Sequence, residues 1–389
     1  MKNKQLQKNW QIKEVSKFAE VITGGTPSTA KKEYWENGTI PWLPSGKCQN
    51  CEIISAEKFI TEEGLKNSAA RMMPKKTVVM ALTGTTTGKI GILKIEASAN
   101  QSVTGILPSE EHLPKFLFYY LKTIRKKILS QSYGGAQPHI SQGFVKKLKI
   151  PLPPLQTQKK IVQILEQAEQ LKQKRKQADR LMDVYLKSVF NEMFLKKKFP
   201  EEELGKVTEI ISGSTPSTII KEYWDGEINW VTPAELINGP NYYYYETKKK
   251  ITKEGLKSCS SNLFPKETVM LTTRAPIGKV AIAGNEMCSN QGFKNFITSE
   301  KINSVYLYFW FLLKKDYLNS LGHGATFKEI SKKIVSKIKI PIPPISLQKK
   351  FAQIVEKVEK IKEAQKESKQ EINDLFNALM QKAFQGELV

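Results

Sequence analysis

Two stretches of the chain keep apolar residues three and four positions apart over many turns, with no Gly or Pro between them. Ile161, Ile164, Ala168, Leu171, Arg175, Ala178, Met182, Tyr185 and Val189 follow that spacing, and Phe351, Ile354, Val358, Ile361, Gln365, Ser368, Ile372, Leu375 and Leu379 repeat it. This is the period of an α-helix with a coiled-coil seam, so two long unbroken helices are expected. Charged residues fill most other positions, as on an exposed helix face. Both seams turn small or polar at the centre, at Arg175 and Ala178 and at Gln365 and Ser368. A weak patch and a register-setting device are both open readings there.

Outside the helices the pattern changes. The runs 77–82, 89–93, 268–271 and 279–282 are short and rich in Val, Ile and Leu, which predicts strands. The aromatic stretches 116–121 and 306–312 read as helical. Gly, Thr, Pro and Asn punctuate the strands, which implies α+β heads with much loop surface. Each head closes on a Pro-x-Pro-Pro segment, which is extended and lacks the N–H donors to continue a strand.

The order of these features repeats. VITGGTPSTAKKEYW at 21–35 returns as IISGSTPSTIIKEYW at 210–224, and ITEEGLK at 60–66 returns as ITKEGLK at 251–257. Gly88-Lys89-Ile90 matches Gly278-Lys279-Val280, and Asn100-Gln101 matches Asn290-Gln291. IPLPPL at 150–155, followed by Gln158, matches IPIPPI at 340–345, followed by Gln348. An offset of about 190 residues is too long for a solenoid unit, so a whole domain is duplicated.

The expected division is a first head at 1–155, a helical spacer at 156–196, a second head at 197–345 and a helical spacer at 346–389. If the seams pair, the helices run antiparallel, which makes the molecule nearly circular with a pseudo-twofold axis. A helix of that length, at about 1.5 Å per residue, spans on the order of 58 Å. One turn of DNA is about 34 Å, so two heads on such a spacer suit a two-site ruler.

Charge narrows the partners. The chain has 61 Lys and Arg against 38 Asp and Glu, a formal net charge of +23, which attracts polyanions. A bilayer span is excluded by the lack of any apolar stretch of about 18 residues. Met1-Lys2-Asn3-Lys4-Gln5 lacks the apolar run of a signal peptide, so a soluble cytoplasmic protein is expected, with no membrane partner. Cys48, Cys51, Cys259 and Cys288 fit a reducing compartment. Cys48 and Cys51 have the spacing of half a zinc knuckle without a second half nearby, so no metal site is assigned.

Chemistry of the chain's own is hard to find. Asp occurs only at 179, 183, 225, 316 and 374, and a magnesium-dependent nuclease needs clustered carboxylates. The glycine-rich stretch 84–90 is one residue short of a phosphate loop and loses its first Gly in the second copy. An aromatic-flanked Asn/Asp-Pro-Pro sequence, the mark of amino-methyltransferases, is missing. His112, His139 and His323 lack nucleophile partners in both heads and read as satisfied surface residues.

With its motifs in this order, twice, the chain resembles the specificity subunits of type I restriction-modification systems over nearly its whole length. The residues that carry the resemblance are Gly25-Thr26-Pro27 with Gly213-Ser214-Thr215-Pro216, Asn100-Gln101 with Asn290-Gln291, and 151–158 with 341–348. The segment 136–141, with 325–331 in the second copy, also fits. The resemblance implies a non-catalytic subunit in which each head is a target recognition domain for one half of a split double-stranded DNA site. It implies helices that set the spacer and dock two methyltransferase subunits, which restriction and translocase subunits then join. AdoMet, ATP and magnesium belong to those partners, and no cofactor is expected on this chain. A coiled-coil adaptor with nonspecific DNA affinity is the alternative, followed by a self-contained DNA-modifying enzyme.

Phosphate contacts position such a protein and base-edge contacts specify sequence. Thr26, Ser28 and Lys32, and their counterparts Thr215, Ser217 and Lys221, offer hydroxyls and charge for phosphate; a turn that merely packs the head is the other reading. Lys89 and Lys279 follow a turn and suit phosphate, and Arg274 suits a guanine edge. The loop 45–50, with Lys47, differs most from its counterpart 235–245, with Tyr243, as two different half-sites require. The tyrosines equally suit a strand edge. Ile161, Ile164, Leu171, Met182, Phe351, Ile354, Ile361, Ile372 and Leu375 are the expected spacer and partner positions on the helices.

Overall fold

A computed structural model of the chain describes residues 9–134, 137–236, 242–322 and 328–389. The chain forms two compact units, Met1–Lys174 with Lys369–Val389 and Arg175–Ser368. Each holds one head and parts of both long helices, which run from Leu155–Phe190 and from Ile345–Gln385.

In the first unit a five-stranded sheet has the order Val21–Thr23, Val103–Ile106, Val78–Ala81, Ile90–Leu93, Cys51–Ile53. The strands Val78–Ala81, Ile90–Leu93 and Val103–Ile106 are buried along their whole length, which explains continuous apolar runs in place of alternation. One face packs on the helix Pro114–Ser130 and the other on a smaller cluster around Leu43, Met73 and Ala99. A three-stranded sheet (Lys58–Ile60, Ile40–Leu43, Ser98–Ala99) lies beside it. Gln11–Glu14 pairs with Lys149–Leu152, tying the beginning of the head to its end.

The second unit repeats this topology. Its five-stranded sheet runs Thr208–Ser212, Phe293–Thr298, Val269–Thr272, Val280–Ala283, Tyr243–Tyr244. A three-stranded sheet again accompanies it, and Glu201–Glu203 pairs with Lys339–Pro341. Short helices start at equivalent caps: Thr61 accepts from Gly64 N–H and Thr252 from Gly255 N–H, while Ser141 and Ser331 cap the segment before each closing strand.

Inside the second unit the two long helices are antiparallel. Arg175 hydrogen-bonds Gln365, Lys362 lies 2.7 Å from Asp183, and Phe190 meets Phe351 at 5.3 Å, so rising numbers oppose falling ones. The polar residues at mid-seam thus face each other, a pairing that opposes register slips. Inside the first unit Ile161, Leu165 and Ala168 share a core with Phe376, Met380 and Ala383.

The seam departs from its expected phase. Ile161 and Phe351 are buried, and Ile164, Met182, Ile354 and Ile372 are partly buried. Leu171, Tyr185, Ile361 and Leu375 are exposed, and Leu165, Leu186, Val355 and Phe376 take the buried places. Two apolar residues stand at adjacent positions at several of these steps, so a three-four rule admits either, and packing against the head cores decides. The first helix also ends earlier than expected as an α-helix. It widens into a π turn, Asn191–Leu195, which brings Phe190 and Phe194 to 4.9 Å from each other within the core that holds Tyr306, Phe309 and Phe351.

His112 corrects another expectation, because it is buried at 2% exposure instead of lying on the surface. Its Nδ1 shares a hydrogen bond with Ser109 Oγ (2.8 Å) and its ring meets Phe18 edge-on. Burial lowers its pKa to about 4, against a smaller opposing effect of Glu111. A folded-state pKa below the ordinary value of about 6.5 means the unfolded chain takes up the proton first. The stability it contributes is complete above pH 6.5 and is lost as pH falls from 6.5 toward 4. Relative to a His112→Gln variant, the protein should lose about 1.4 kcal/mol per pH unit in that window. Thermal denaturation of both at pH 7.5 and 5 checks this; a difference that stays constant contradicts it.

Candidate nucleic-acid interface

The register of the five-stranded sheet places one set of loops together. Thr23 pairs with Thr104, Ala81 with Val103, Met80 with Ile90, and Cys51 with Gly91. The loops carrying Thr26, Gln101, Thr83–Lys89 and Lys47 therefore all leave the same end of the sheet. The second unit does the same with Ser212, Phe293, Thr272, Val280 and Tyr243, which gathers Thr215, Gln291, Arg274 and Lys279.

The glycine end of each Gly-Thr-Pro loop is packed. A Cβ on Gly24 would stand 2.1 Å from Ala99 O, and one on Gly213 would stand 2.0 Å from Asn290 O, so no other residue fits. Gly25 O accepts from Trp42 Nε1 (2.9 Å) and Ser28 O from Trp35 Nε1 (3.1 Å). Trp230 and Trp224 do the same for Ser214 O (2.9 Å) and Ser217 O (3.0 Å). Each indole pair meets edge-on, at 5.1 and 5.0 Å. The Thr26 hydroxyl donates to Gln101 Oε1 and that of Thr215 to Gln291 Oε1, which joins the two recurring motifs. Beyond this frame Ser28 and Lys32, and Ser217 and Lys221, are exposed. Sequence reasoning found the Thr and Gln motifs but not the tryptophans that brace the loops; their recurrence in both copies was the available signal.

The remaining candidates are tethered. Lys47 pairs with Glu57, Lys89 Nζ donates to Gln49 Oε1 (2.7 Å), and Lys279 Nζ donates to Pro233 O (2.8 Å). Tyr243 lies on the sheet's edge strand and donates to Glu267 (3.1 Å), while Tyr242, its neighbour in the chain, is buried. Arg274 is exposed and bound through Nε to Glu329 (3.0 Å). Residues 237–241 of the tyrosine loop, Ala136, His323 and 325–327 lie outside the described residues. The stretch that mimics a phosphate loop is a 3-10 turn at Gly84–Thr86, and Thr87 is bound to Pro138 O and Arg125.

Cys48 is buried, which pushes its thiol up to about 12, and Cys51 is exposed. Among the described residues no group of three His, Cys, Asp or Glu is placed to hold a metal ion, and no helix is long and apolar enough to cross a membrane.

One residue outside these loops joins head to helix in both units. Gln158 is fully buried; its Nε2 donates to Glu111 O and Pro153 O, and its Oε1 accepts from Leu113 N–H. Gln348 repeats this with Lys301 O, Pro343 O and Asn303 N–H.

Residues 7–178 and 196–374 each match the family described as type I restriction modification DNA specificity domain. The type I restriction enzyme MjaIX specificity subunit of Methanocaldococcus jannaschii is 40% identical over 172 residues, covering 41% of this chain and 40% of that one. The chain thus spans about two fifths of the length of that relative. The MjaVIII specificity subunit of the same organism is 22% identical over 98% of this chain and 93% of its own. A solved structure titled for complex assembly and conformational transition of the type I R-M system gives a TM-score of 0.69 at 19% identity, covering 99% of this chain and 100% of that one. The type I restriction-modification S subunit from M. genitalium gives 0.55 at 15% identity, covering 99% and 98%. At these identities the two structures establish likeness of fold.

Proposed function

The chain belongs to the family of type I restriction-modification DNA specificity domains and carries two copies of that domain; from that premise we propose that it is the sequence-reading subunit of such an enzyme. Residues 1–155 and 197–345 each read one half of a split site in double-stranded DNA. Residues 156–196 and 346–389 set the spacer, and their exposed apolar positions, Leu171, Ile361 and Leu375 among them, suit docking of two methyltransferase subunits. Restriction and translocase subunits complete the enzyme and, with the methyltransferases, hold AdoMet, ATP and magnesium. The chain itself is non-catalytic and works in the cytoplasm.

One observation carries the reading. The same Thr–Gln and double-Trp frame is built at the same sheet end in both units, and the loops that differ most in sequence leave from it. A common frame with divergent loops is the arrangement two unlike half-sites require. Exposed hydroxyls and lysines on the frame suit the backbone, and the net charge of +23 raises the local DNA concentration.

Competition binding with the methyltransferase partner present tests this against a basic coiled-coil adaptor. One split duplex should outcompete random DNA by about a thousandfold or more at physiological salt. Binding that salt abolishes equally for every duplex would support the adaptor.

A further inference from the structure

The second unit carries a charge cluster that the first lacks. Strand register aligns Lys294 with Thr104 of the first unit, since each faces the end of its neighbouring strand, at Ser212 and Thr23. Arg274 likewise bridges Glu329 where Thr83 bridges His139. In the first unit Thr23 and Thr104 share a neutral hydrogen bond of 3.2 Å.

In the second unit the carboxylate of Glu329 forms an ion pair with Arg274, 3.0 Å from its Nε, and lies 4.0 Å from Lys294 Nζ. Lys294 is 5% exposed, and its nearest hydrogen-bond acceptor among the described residues is Phe293 O at 3.5 Å. A buried ammonium is costly and is retained where its charge has a use. Burial first, and then Arg274 and Lys332 acting against Glu329, hold its pKa below the usual lysine value. Two cations, Arg274 and Lys294, therefore flank one carboxylate, which leaves a surplus of positive charge at the loop end of the sheet.

We propose that Arg274 reads a guanine in the half-site taken by the second domain, with Glu329 and Lys294 as positioning residues. This rests on the DNA-reading function proposed above. With Nε beside the Glu329 carboxylate, the guanidinium is tethered along one edge, which leaves its two terminal nitrogens for a second partner. Their spacing matches O6 and N7 of guanine in the major groove. A phosphate also accepts lysine as a point charge, whereas two acceptors on one base edge need the arginine fork. Lys294 acts through Glu329: its buried ammonium, 4.0 Å from the carboxylate, holds that group beside Arg274.

The test uses the full chain co-expressed with its methyltransferase partner, and the motif is read from the modified bases of host DNA. Arg274→Ala should relax one G·C position of one half-site by roughly tenfold to a hundredfold and leave the other half unchanged. Arg274→Lys, which keeps the charge and loses the fork, should relax the same position, and Glu329→Gln should relax it less. An unchanged motif in Arg274→Ala, or full recovery in Arg274→Lys, overturns the assignment and points to a phosphate contact. If the wild-type complex modifies no split motif, the DNA-reading function itself falls, and the guanine contact with it.

Discussion

Replacing Gln348 with Met should lower the stability of the second unit by about 4 kcal/mol. The side chain is fully buried and uses its amide three times, on Lys301 O, Pro343 O and Asn303 N–H. Methionine fills a similar volume but offers no donor or useful acceptor, so three backbone groups lose their partner. Each buried group left unsatisfied costs about 1–3 kcal/mol, with some relief where water enters. In a unit of this size about 1 kcal/mol moves the midpoint by 2–4 °C, so a fall of roughly 10 °C is expected. Gln158→Met should do the same to the first unit, whereas Gln163→Met, at an exposed site on the same helix, should change little. Thermal denaturation of the three variants decides it; a shift under about 2 °C for both buried sites would remove the tie from the account.

The glutamines matter beyond stability because each sits where a head meets a helix. Gln158 bonds to the carbonyl before its helix and to the segment leading into Pro114–Ser130, so it fixes the direction in which the helix leaves the head. A site-reading module must hold its loops at a defined place along DNA, and a loose joint there would blur the second contact.

Much of this was legible in the sequence. Strands such as Val78–Ala81 and Val269–Thr272 were readable because both faces are buried, so the apolar run is continuous. The long helices were readable as elements, but not their inward faces. Ile164 and Leu165 both satisfy a helical spacing, and only packing against the head core turns Leu165 fully inward. The π turn after Phe190 left no mark, since it answers to the aromatic residues from elsewhere that surround it. The two- and three-residue strands, Tyr243–Tyr244 among them, are too short to show a period.

The candidate site was legible in part. The recurring Thr and Gln motifs pointed to the right loops, because hydroxyl and amide partners recur when a frame is duplicated. Their bonding to each other was invisible, as Thr26 and Gln101 are distant in the chain. Trp42 and Trp230 were overlooked because an apolar residue in a strand suggests core, and their indole N–H groups bind loop carbonyls only in the folded unit. Arg274 was found from its chemistry, whereas Glu329 and Lys294 needed the strand register.

The most direct test of two independent reading modules on one chain is to exchange residues 1–155 for the equivalent head of a relative with a known site, leaving Gln158 and the helix in place. The modified motif in host DNA is then mapped. The half-site of the donor should replace one half of the original motif, with the other half retained. A motif that is altered in both halves, or in neither, would contradict the account.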